Sequence, residues 1–374
     1  MDFELDMSQR LLRDNLQVFL ADHYAFEARR RAVTTEPGWQ PQFWQRLASE
    51  LGVLGAGLPE RVGGSGGGAV EHMIMMEAFG GALVVEPYLE TCVIVGDLLA
   101  NAGSERADER LAAIVDGRMV MALAWSQSMQ RDGTPSPAMR ATRTKDGWRL
   151  DGHKAVVVAA PWADALLVSA DSEDGLALFL VDRETRGLSL QGYPTIDGRR
   201  AADLRCDKVQ LASDALIVGV DRARPLLEHA LDAATAAVCA EALGVMTRLR
   251  DDTLAYTRER KQFGRAIAEF QVLQHRMVDM HLQIELSRAA TVMATLSLGA
   301  DARARAMAVS MAKVTVAQAC RYVGQNAVQL HGGMGMTEEL PLGSYFKRAT
   351  AIEREFGDVD HHLRRHARLE AAAA

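Results

Sequence analysis

The spacing of apolar residues changes twice along this chain, and those two changes limit the folds open to it. Over residues 1–117 the apolar side chains recur at helical spacing. Leu11, Leu12, Leu16, Phe19 and Leu20 make one stripe, and Phe43, Leu47, Leu51 and Leu54 another. From Val120 the spacing falls to that of a strand. Residues 120–125, 148–150, 154–158, 165–169 and 176–181 are short aliphatic runs, punctuated by Asp-Gly pairs. They predict a small antiparallel β domain or barrel. From about Pro225 helical spacing returns in Ala-rich segments near 226–262, 267–297 and 302–331, which predict a bundle of about four helices. The expected class is α+β, mainly α: an N-terminal helical domain over 1–117, a small β-barrel domain over 118–212 and a C-terminal four-helix bundle over 213–374.

Within the C-terminal helical region a single junction stands out. Leu243, Met246, Leu249, Leu254 and Tyr256 form one helical stripe, and Ile267, Phe270, Leu273, Met277 and Met280 form the next. Phe263-Gly264 breaks them, with Gly264 supplying the backbone freedom. Arg258, Arg260, Lys261 and Arg265 crowd this break beside Phe263 and Gln271. Such a corner suits a phosphate-bearing ligand with a flat ring system. It equally suits a solvated basic helix end favoured by the macrodipole. The run Gly63-Gly64-Ser65-Gly66-Gly67-Gly68 lacks a following Lys-Ser/Thr, so it reads as an inter-helix turn, not a phosphate loop.

Composition narrows the class. A net charge of −7 argues against nucleic acid or an anionic membrane as the main partner. No uninterrupted apolar run approaches the roughly 18 residues that span a bilayer, and the acidic N-terminus is no signal peptide. Cys92, Cys206, Cys239 and Cys320 are scattered, without metal or disulfide spacing. His361-His362 would point about 100° apart on a helix, which excludes a two-His metal site. A cytoplasmic enzyme without a metal is expected.

The junction from Arg260 through Phe263-Gly264, the following Phe270-Gln271 pair and the Gln274…Asp279-Met280 tail together resemble the signature of the acyl-CoA dehydrogenase family. So do Ser8-Gln9-Arg10, the segment from Leu51 through Leu58-Pro59-Glu60 to Gly63-Gly64, and Gln329-Leu330-His331-Gly332-Gly333-Met334-Gly335-Met336. The resemblance covers nearly the whole chain, in order. It implies three domains (helical, β, helical) and a FAD cofactor shared between subunits. In the family the junction Arg and the Gln after it bind the FAD pyrophosphate, which implies Arg260 and Gln271, with Phe263 near the adenine portion. Gln329, Gly332 and Gly333 match the element that receives the cofactor across the dimer; taken alone, the glycines also fit an ordinary inter-helix turn.

The other half of the implied flavin site departs from the family. Its Thr-Glu-Pro and Gly-Ser-Asp loop is replaced by a segment beginning Trp125-Ser126, where Ser126 retains a hydroxyl. Its Trp-x-Thr segment is Val156-Val157-Val158, which forgoes a hydrogen bond worth about 1 kcal/mol. The family's base, a Glu that takes the α-proton of the thioester, falls on Phe356, and an alternative position falls on Ala234. Neither can abstract a proton. The nearby carboxylates are Glu355 and Asp358, with Glu355 about 100° round from Phe356 on a helix. Asp232 and Thr235 correspond to positions that contact the CoA arm.

The ending Gly357-Asp358-Val359-Asp360-His361-His362-Leu363 and the stretch Cys239-Ala240-Glu241-Ala242 resemble the pimeloyl-CoA dehydrogenase small-subunit branch. Its relatives include paired dehydrogenases of steroid-derived CoA thioesters. The implied function is desaturation of an acyl-CoA by one subunit of a hetero-oligomer (α2β2), or by a homo-oligomer, with an electron-transfer flavoprotein as acceptor. A non-catalytic partner subunit, or a flavin-dependent oxygenase on the same fold, are the alternatives.

Overall fold

The computed structural model describes residues 4–126 and 138–372. Helices α1 (Met7–His23), α2 (Phe26–Thr34), α3 (Pro41–Ser49), α4 (Ala69–Ala82), α5 (Gly96–Ala100) and α6 (Glu105–Val115) precede the sheet. Strands β1 (Met121–Ala124), β2 (Arg140–Thr144), β3 (Gly147–Val158), β4 (Ala165–Ser172), β5 (Gly175–Asp182), β6 (Leu188–Pro194), β7 (Arg200–Ala212) and β8 (Leu216–Val218) build it. Then come α7 (Val220–Glu259), the two-residue strands β9 (Lys261–Gln262) and β10 (Arg265–Ala266), α8 (Gln271–Leu296), α9 (Ala302–His331), α10 (Leu342–Arg354) and α11 (Val359–Ala371). The helical, β, helical order read from the spacing is the order observed.

The chain divides into two compact units, each drawn from separated stretches. One holds Ala32–Gly68 and Val85–Leu231. Its sheet runs β6-β7-β3-β2-β4-β5-β8, with β1 against β4. The hairpin pairs are antiparallel as expected, but β1 and β4 pair in parallel, from Met121 opposite Ala165 to Ala124 opposite Val168. The returning strand β3 separates them in sequence, so β1 and β4 run the same way. Trp148 and Phe179 meet edge to face at 5.2 Å within a core that includes Leu150, Leu166, Val168 and Val209.

The other unit holds the residues up to Arg31, Ala69–Val84 and everything from Asp232 onward. Acidic caps start several of its helices. Asp6 and Gln9 exchange side-chain and backbone hydrogen bonds at 2.8 and 3.1 Å at the head of α1. Asp301 accepts the Arg303 and Ala304 N–H groups at 3.0 Å at the head of α9. Where about four helices are predicted after residue 213, five form among the described residues. Phe356 (φ +57°) and Gly357 (φ +113°) turn the chain between α10 and α11. Helix α7 contains an apolar window long enough to cross a membrane, which Asp232 and Glu241 interrupt so that no unbroken apolar run shows in the sequence. That window is 83% buried inside the protein, as in a core helix.

Helices α4 and α7 cross at two glycines. A β-carbon on Gly80 would lie 2.0 Å from the Glu241 carbonyl oxygen, and one on Gly244 would lie 2.0 Å from that of Glu77 and 2.5 Å from the Gly81 nitrogen. All of these are backbone atoms, so no side-chain rotation relieves the clash. Gly244→Ala should therefore lower the unfolding free energy by about 3 kcal/mol or more. Gly343→Ala, whose β-carbon would meet nothing within 4 Å, should change it by under about 1 kcal/mol. Denaturant unfolding measures both, and equal midpoints would refute the close crossing.

Candidate functional site

The basic junction folds as a hairpin. Lys261–Gln262 pairs antiparallel with Arg265–Ala266, and the two tip residues, Phe263 and Gly264, have φ of +53° and +81°. This is the signature of a type I′ turn. Helical structure resumes at Gln271, four residues later than the spacing predicts, because residues 267–269 form a 3-10 turn. Phe263 stands 92% exposed at the tip, its ring set edge-on to Phe270 at 6.1 Å. Arg265 lies over the Phe270 ring at 4.2 Å.

Beside this hairpin a pocket of about 430 Å³ opens, lined by Tyr256, Arg260, Gln262, Gln329 and Gly332–Gly333 among others. Of the site residues read from the sequence, it gathers Arg260, Gln329, Gly332 and Gly333. Phe263 and Gln271 do not line it; both are exposed nearby on the same corner. Among the described residues the side chains of Arg260 and Gln329 have no hydrogen-bond or ionic partner. β-Carbons added at Gly332 or Gly333 would meet nothing within 4 Å, and Gly332 has φ +59°. Gly335 is different: a β-carbon there would approach the Val328 carbonyl to 2.9 Å, so it serves packing.

The pocket wall includes two residues that the sequence reading passes over. Tyr256 stacks on His331 at 4.3 Å, and its hydroxyl donates to the His331 carbonyl at 3.3 Å. His331 Nδ1 lies 2.8 Å from the Ala327 carbonyl, to which it can only donate. Burial pushes the imidazole below its ordinary pKa, so near neutral pH the ring is uncharged, with its lone pair on Nε2. Tyr256 sits one helical turn before Arg260, a spacing that could have pointed to it. An uncommitted guanidinium, a free amide and bare backbone suit phosphate oxygens. The donor set fits the pyrophosphate of a dinucleotide.

The remaining residues named from the sequence lie elsewhere. Ser126 lies two residues past the end of β1, and its backbone carbonyl accepts the Ala155 N–H at 3.2 Å; the segment after it falls outside the described residues. Ala234 and Thr235 are buried on α7. Asp232 is 1% exposed and is held by Arg305 at 3.0 Å and Arg365 at 2.6 Å. Glu355 Oε2 lies 2.9 Å from Arg348 Nη2, close enough for an ion pair but off the hydrogen-bond direction. Arg348 is itself held by both oxygens of buried Glu241, at 2.7 and 2.6 Å. Asp358 caps α11 by accepting the His361 N–H at 2.9 Å, which keeps its carboxyl below the usual range. Three carbonyls around the Phe356 turn (Ile352, Glu353 and Gly357) accept from buried Lys313 at 2.9–3.2 Å.

The fold is that of the acyl-CoA dehydrogenases. The ChsE4–ChsE5 complex of Mycobacterium tuberculosis superposes with a TM-score of 0.90 at 27% identity, covering 99% of each chain. The Tcur3481–Tcur3483 steroid ACAD superposes at 0.87 and 30% identity, covering 98% of this chain and 99% of that one. Residues 6–118 match the acyl-CoA dehydrogenase N-terminal domain, and residues 225–369 the C-terminal domain. Acyl-CoA dehydrogenase FadE12 of Mycobacterium tuberculosis is 31% identical over 346 residues, 88% of this chain and 86% of its own length. The chain belongs to the acyl-CoA dehydrogenase family.

The Phe356 turn carries a pH dependence. His362 Nε2 lies 3.2 Å from the Phe356 carbonyl and Nδ1 3.3 Å from Ser310 Oγ. Burial, then Lys313 and His361, lower its pKa to about 4. With the folded value below the unfolded one, the unfolded chain binds more protons between about pH 6.5 and 4. Stability is therefore full above this window and is lost as pH falls through it. After allowance for partial exposure the loss should be about 2 kcal/mol. Urea unfolding at pH 7 and 4.5 measures it; His362→Gln should remove this share, and an undiminished slope in that variant would exclude His362 as its source.

Proposed function

We propose that this chain is one subunit of a paired, FAD-dependent acyl-CoA dehydrogenase that introduces an α,β double bond into an acyl-CoA thioester. The observation that carries the reading is the pocket at the α7 corner, where a free arginine and a free amide face exposed glycine backbone. There Arg260 would fork onto two phosphate oxygens, Gln329 would donate a further bond, and Gly332–Gly333 would let the backbone approach. Phe263 and Gln271, exposed beside the pocket, would meet the rest of the dinucleotide. FAD, when bound, accepts the hydride that leaves the thioester β-carbon.

Loss of the α-proton needs a carboxylate free to take it. Phe356 and Ala234 offer none, Glu355 faces Arg348, Asp358 caps a helix, and Asp232 is held by two arginines. The base in this reading comes from the partner subunit. A partner is supported by the outer face of α8, where Val278, Leu282, Leu286, Met293 and Leu296 are each at least 40% exposed. It is supported too by the two-chain composition of the ChsE4–ChsE5 and Tcur3481–Tcur3483 relatives. The name of the latter makes a steroid-derived CoA thioester the first substrate to assay, with an electron-transfer flavoprotein as acceptor. The lack of a free carboxylate at these positions equally favours a second reading, in which this chain is a non-catalytic partner that keeps only the assembly surface.

Co-expression with the product of the neighbouring gene tests these readings. The purified complex should carry flavin, seen as absorbance near about 450 nm. Arg260→Ala should weaken flavin binding at least about tenfold, the scale of one charge-assisted hydrogen bond, with unchanged circular dichroism. Full flavin retention in that variant would remove Arg260 from the site, and a flavin-free wild-type complex would favour the non-catalytic reading. On the assembly face, Leu282→Asp with Leu286→Asp should convert the complex to separate chains by light scattering; an intact complex would move the interface off α8.

A further inference from the structure

A cavity of about 470 Å³ opens within the unit that holds the C-terminal helices. Helices α1, α4, α7 and α10 wall it beside the α4–α7 crossing, and it shares no lining residue with the pocket at the α7 corner. Much of its lining is aromatic or apolar: Leu20, Tyr24 and Tyr345 are buried and Phe26 is half-buried. The three charged residues that line it each have a partner of opposite sign. Glu77 is held by Arg288, Arg248 by Asp252 and Asp251 by Arg250, all at 2.8 Å.

Two features of the wall are not explained by packing. The first is Gly81, one residue before the end of α4. Glycine weakens a helix relative to alanine, and near a helix end it usually serves as the left-handed cap. Here Leu83 takes that position, with φ +55°. Nor does the helix crossing require Gly81. A β-carbon on it would meet nothing within 4 Å, whereas one on Gly80 would strike the Glu241 carbonyl. The space left open over Gly81 belongs to the cavity. The second feature is Thr247. Thr253, Ser287, Thr315 and Thr350 each donate to the carbonyl four residues back, at 2.6–3.1 Å. Thr247 makes no such bond. Its Oγ1 is buried at the cavity wall without a hydrogen-bond partner among the described residues. A buried hydroxyl left so is unfavourable unless something else supplies the bond.

We propose that this cavity binds a neutral fused-ring molecule carrying one hydroxyl or carbonyl, with Thr247 as its hydrogen-bond partner and the bare backbone at Gly81 as the surface on which the rings lie. Aromatic walls favour a flat ring, which can stack on them or meet them edge to face. A volume of about 470 Å³ exceeds what one ring fills and falls within the range of small-ligand sites. The paired charges of the lining leave no ion for a ligand to neutralise, so a charged molecule would lose hydration without compensation. The Thr247 hydroxyl can donate to a carbonyl or accept from a hydroxyl, so either group serves on the ligand. Once bound, the molecule ties α1 and α10 to the α4–α7 crossing. The site stands independently of the FAD reading.

Calorimetric titration of the full chain with 2-naphthol as the probe tests the site. One-to-one binding with a Kd below about 1 mM is expected for a molecule of that size, and its absence overturns the proposal. Thr247→Val keeps the side-chain shape and removes the hydroxyl, so it should raise the Kd about fivefold or more. Thr247→Ser should bring it back to within about twofold of wild type. Gly81→Leu fills the space over α4 and should abolish binding while unfolding no earlier than wild type. An unchanged Kd in Thr247→Val or in Gly81→Leu puts the probe elsewhere and overturns the proposal. Should Gly81→Leu not fold, the two Thr247 variants decide the matter, and equal affinities in both overturn it. 2-Naphthoate, the same rings with a carboxylate, should bind at least about tenfold more weakly; equal affinity overturns the assignment of a neutral ligand. Arg260→Ala should bind 2-naphthol as wild type does, so a failure of the FAD reading and a failure of this site are told apart.

Discussion

Helix α7 lies as close to α4 as it does because neither carries a β-carbon where they cross, at Gly244 and Gly80. The crossing fixes the backbone of Glu241, whose carbonyl oxygen would sit 2.0 Å from a β-carbon on Gly80. With its backbone set, the Glu241 side chain meets Arg348 of α10 through two hydrogen bonds, both groups being almost wholly buried. Removing one partner of such a pair strands a buried charge, at about 3–5 kcal/mol. The direction of α10 is thus coupled to a contact between two backbones. Lys313 completes the coupling from α9: its ammonium sits among three carbonyls at the end of α10, where the helix dipole favours a cation.

The same network decides what this chain can do chemically. A carboxylate that takes a proton from carbon works best when a dry, uncompensated setting lifts its pKa. Four carboxylates around the Phe356 turn and on α7 are instead already engaged. Glu241 is doubly bonded to Arg348, Glu355 faces that same arginine, Asp232 is shared by Arg305 and Arg365, and Asp358 is committed to the His361 N–H. These partners occupy the carboxylate oxygens that would have to reach a substrate proton. Reassigning the family's base to one of these residues would therefore mean dismantling bonds that orient α10 and α11, and that is the ground on which a partner-supplied base is proposed.

How far the sequence alone reaches can be judged residue by residue, and what it misses has physical causes. The helical and strand segments were legible because apolar spacing records which face of an element is buried. The break at Phe263-Gly264 was legible because glycine marks a left-handed position. The turn at Phe356 was not, since no local rule places a phenylalanine at φ +57°; the glycine after it and Lys313, remote in sequence, hold it there. Parallel pairing of β1 with β4 is a tertiary choice that neither strand encodes. Asp232 shows the limit most clearly. As one acidic residue in a helix it could be surface, ligand contact or core, and only the arrival of Arg305 and Arg365 from two other helices makes it core. Arg260, Gln329 and the glycine pair do converge, but family resemblance suggested that, because spacing cannot bring together residues so far apart in the chain.

One feature of the isolated chain remains unfavourable, and it is of a kind that a bound ligand relieves. In a protein of net charge −7, Arg258, Arg260, Lys261 and Arg265 gather within eight residues. The α7 dipole favours cations there, but four in so short a stretch repel one another. Arg265 is committed to Phe270, and Arg260 has no ionic partner among the described residues. A flavin dinucleotide bound as proposed would bring its anionic tail to the Arg260 corner and offset the charge excess there.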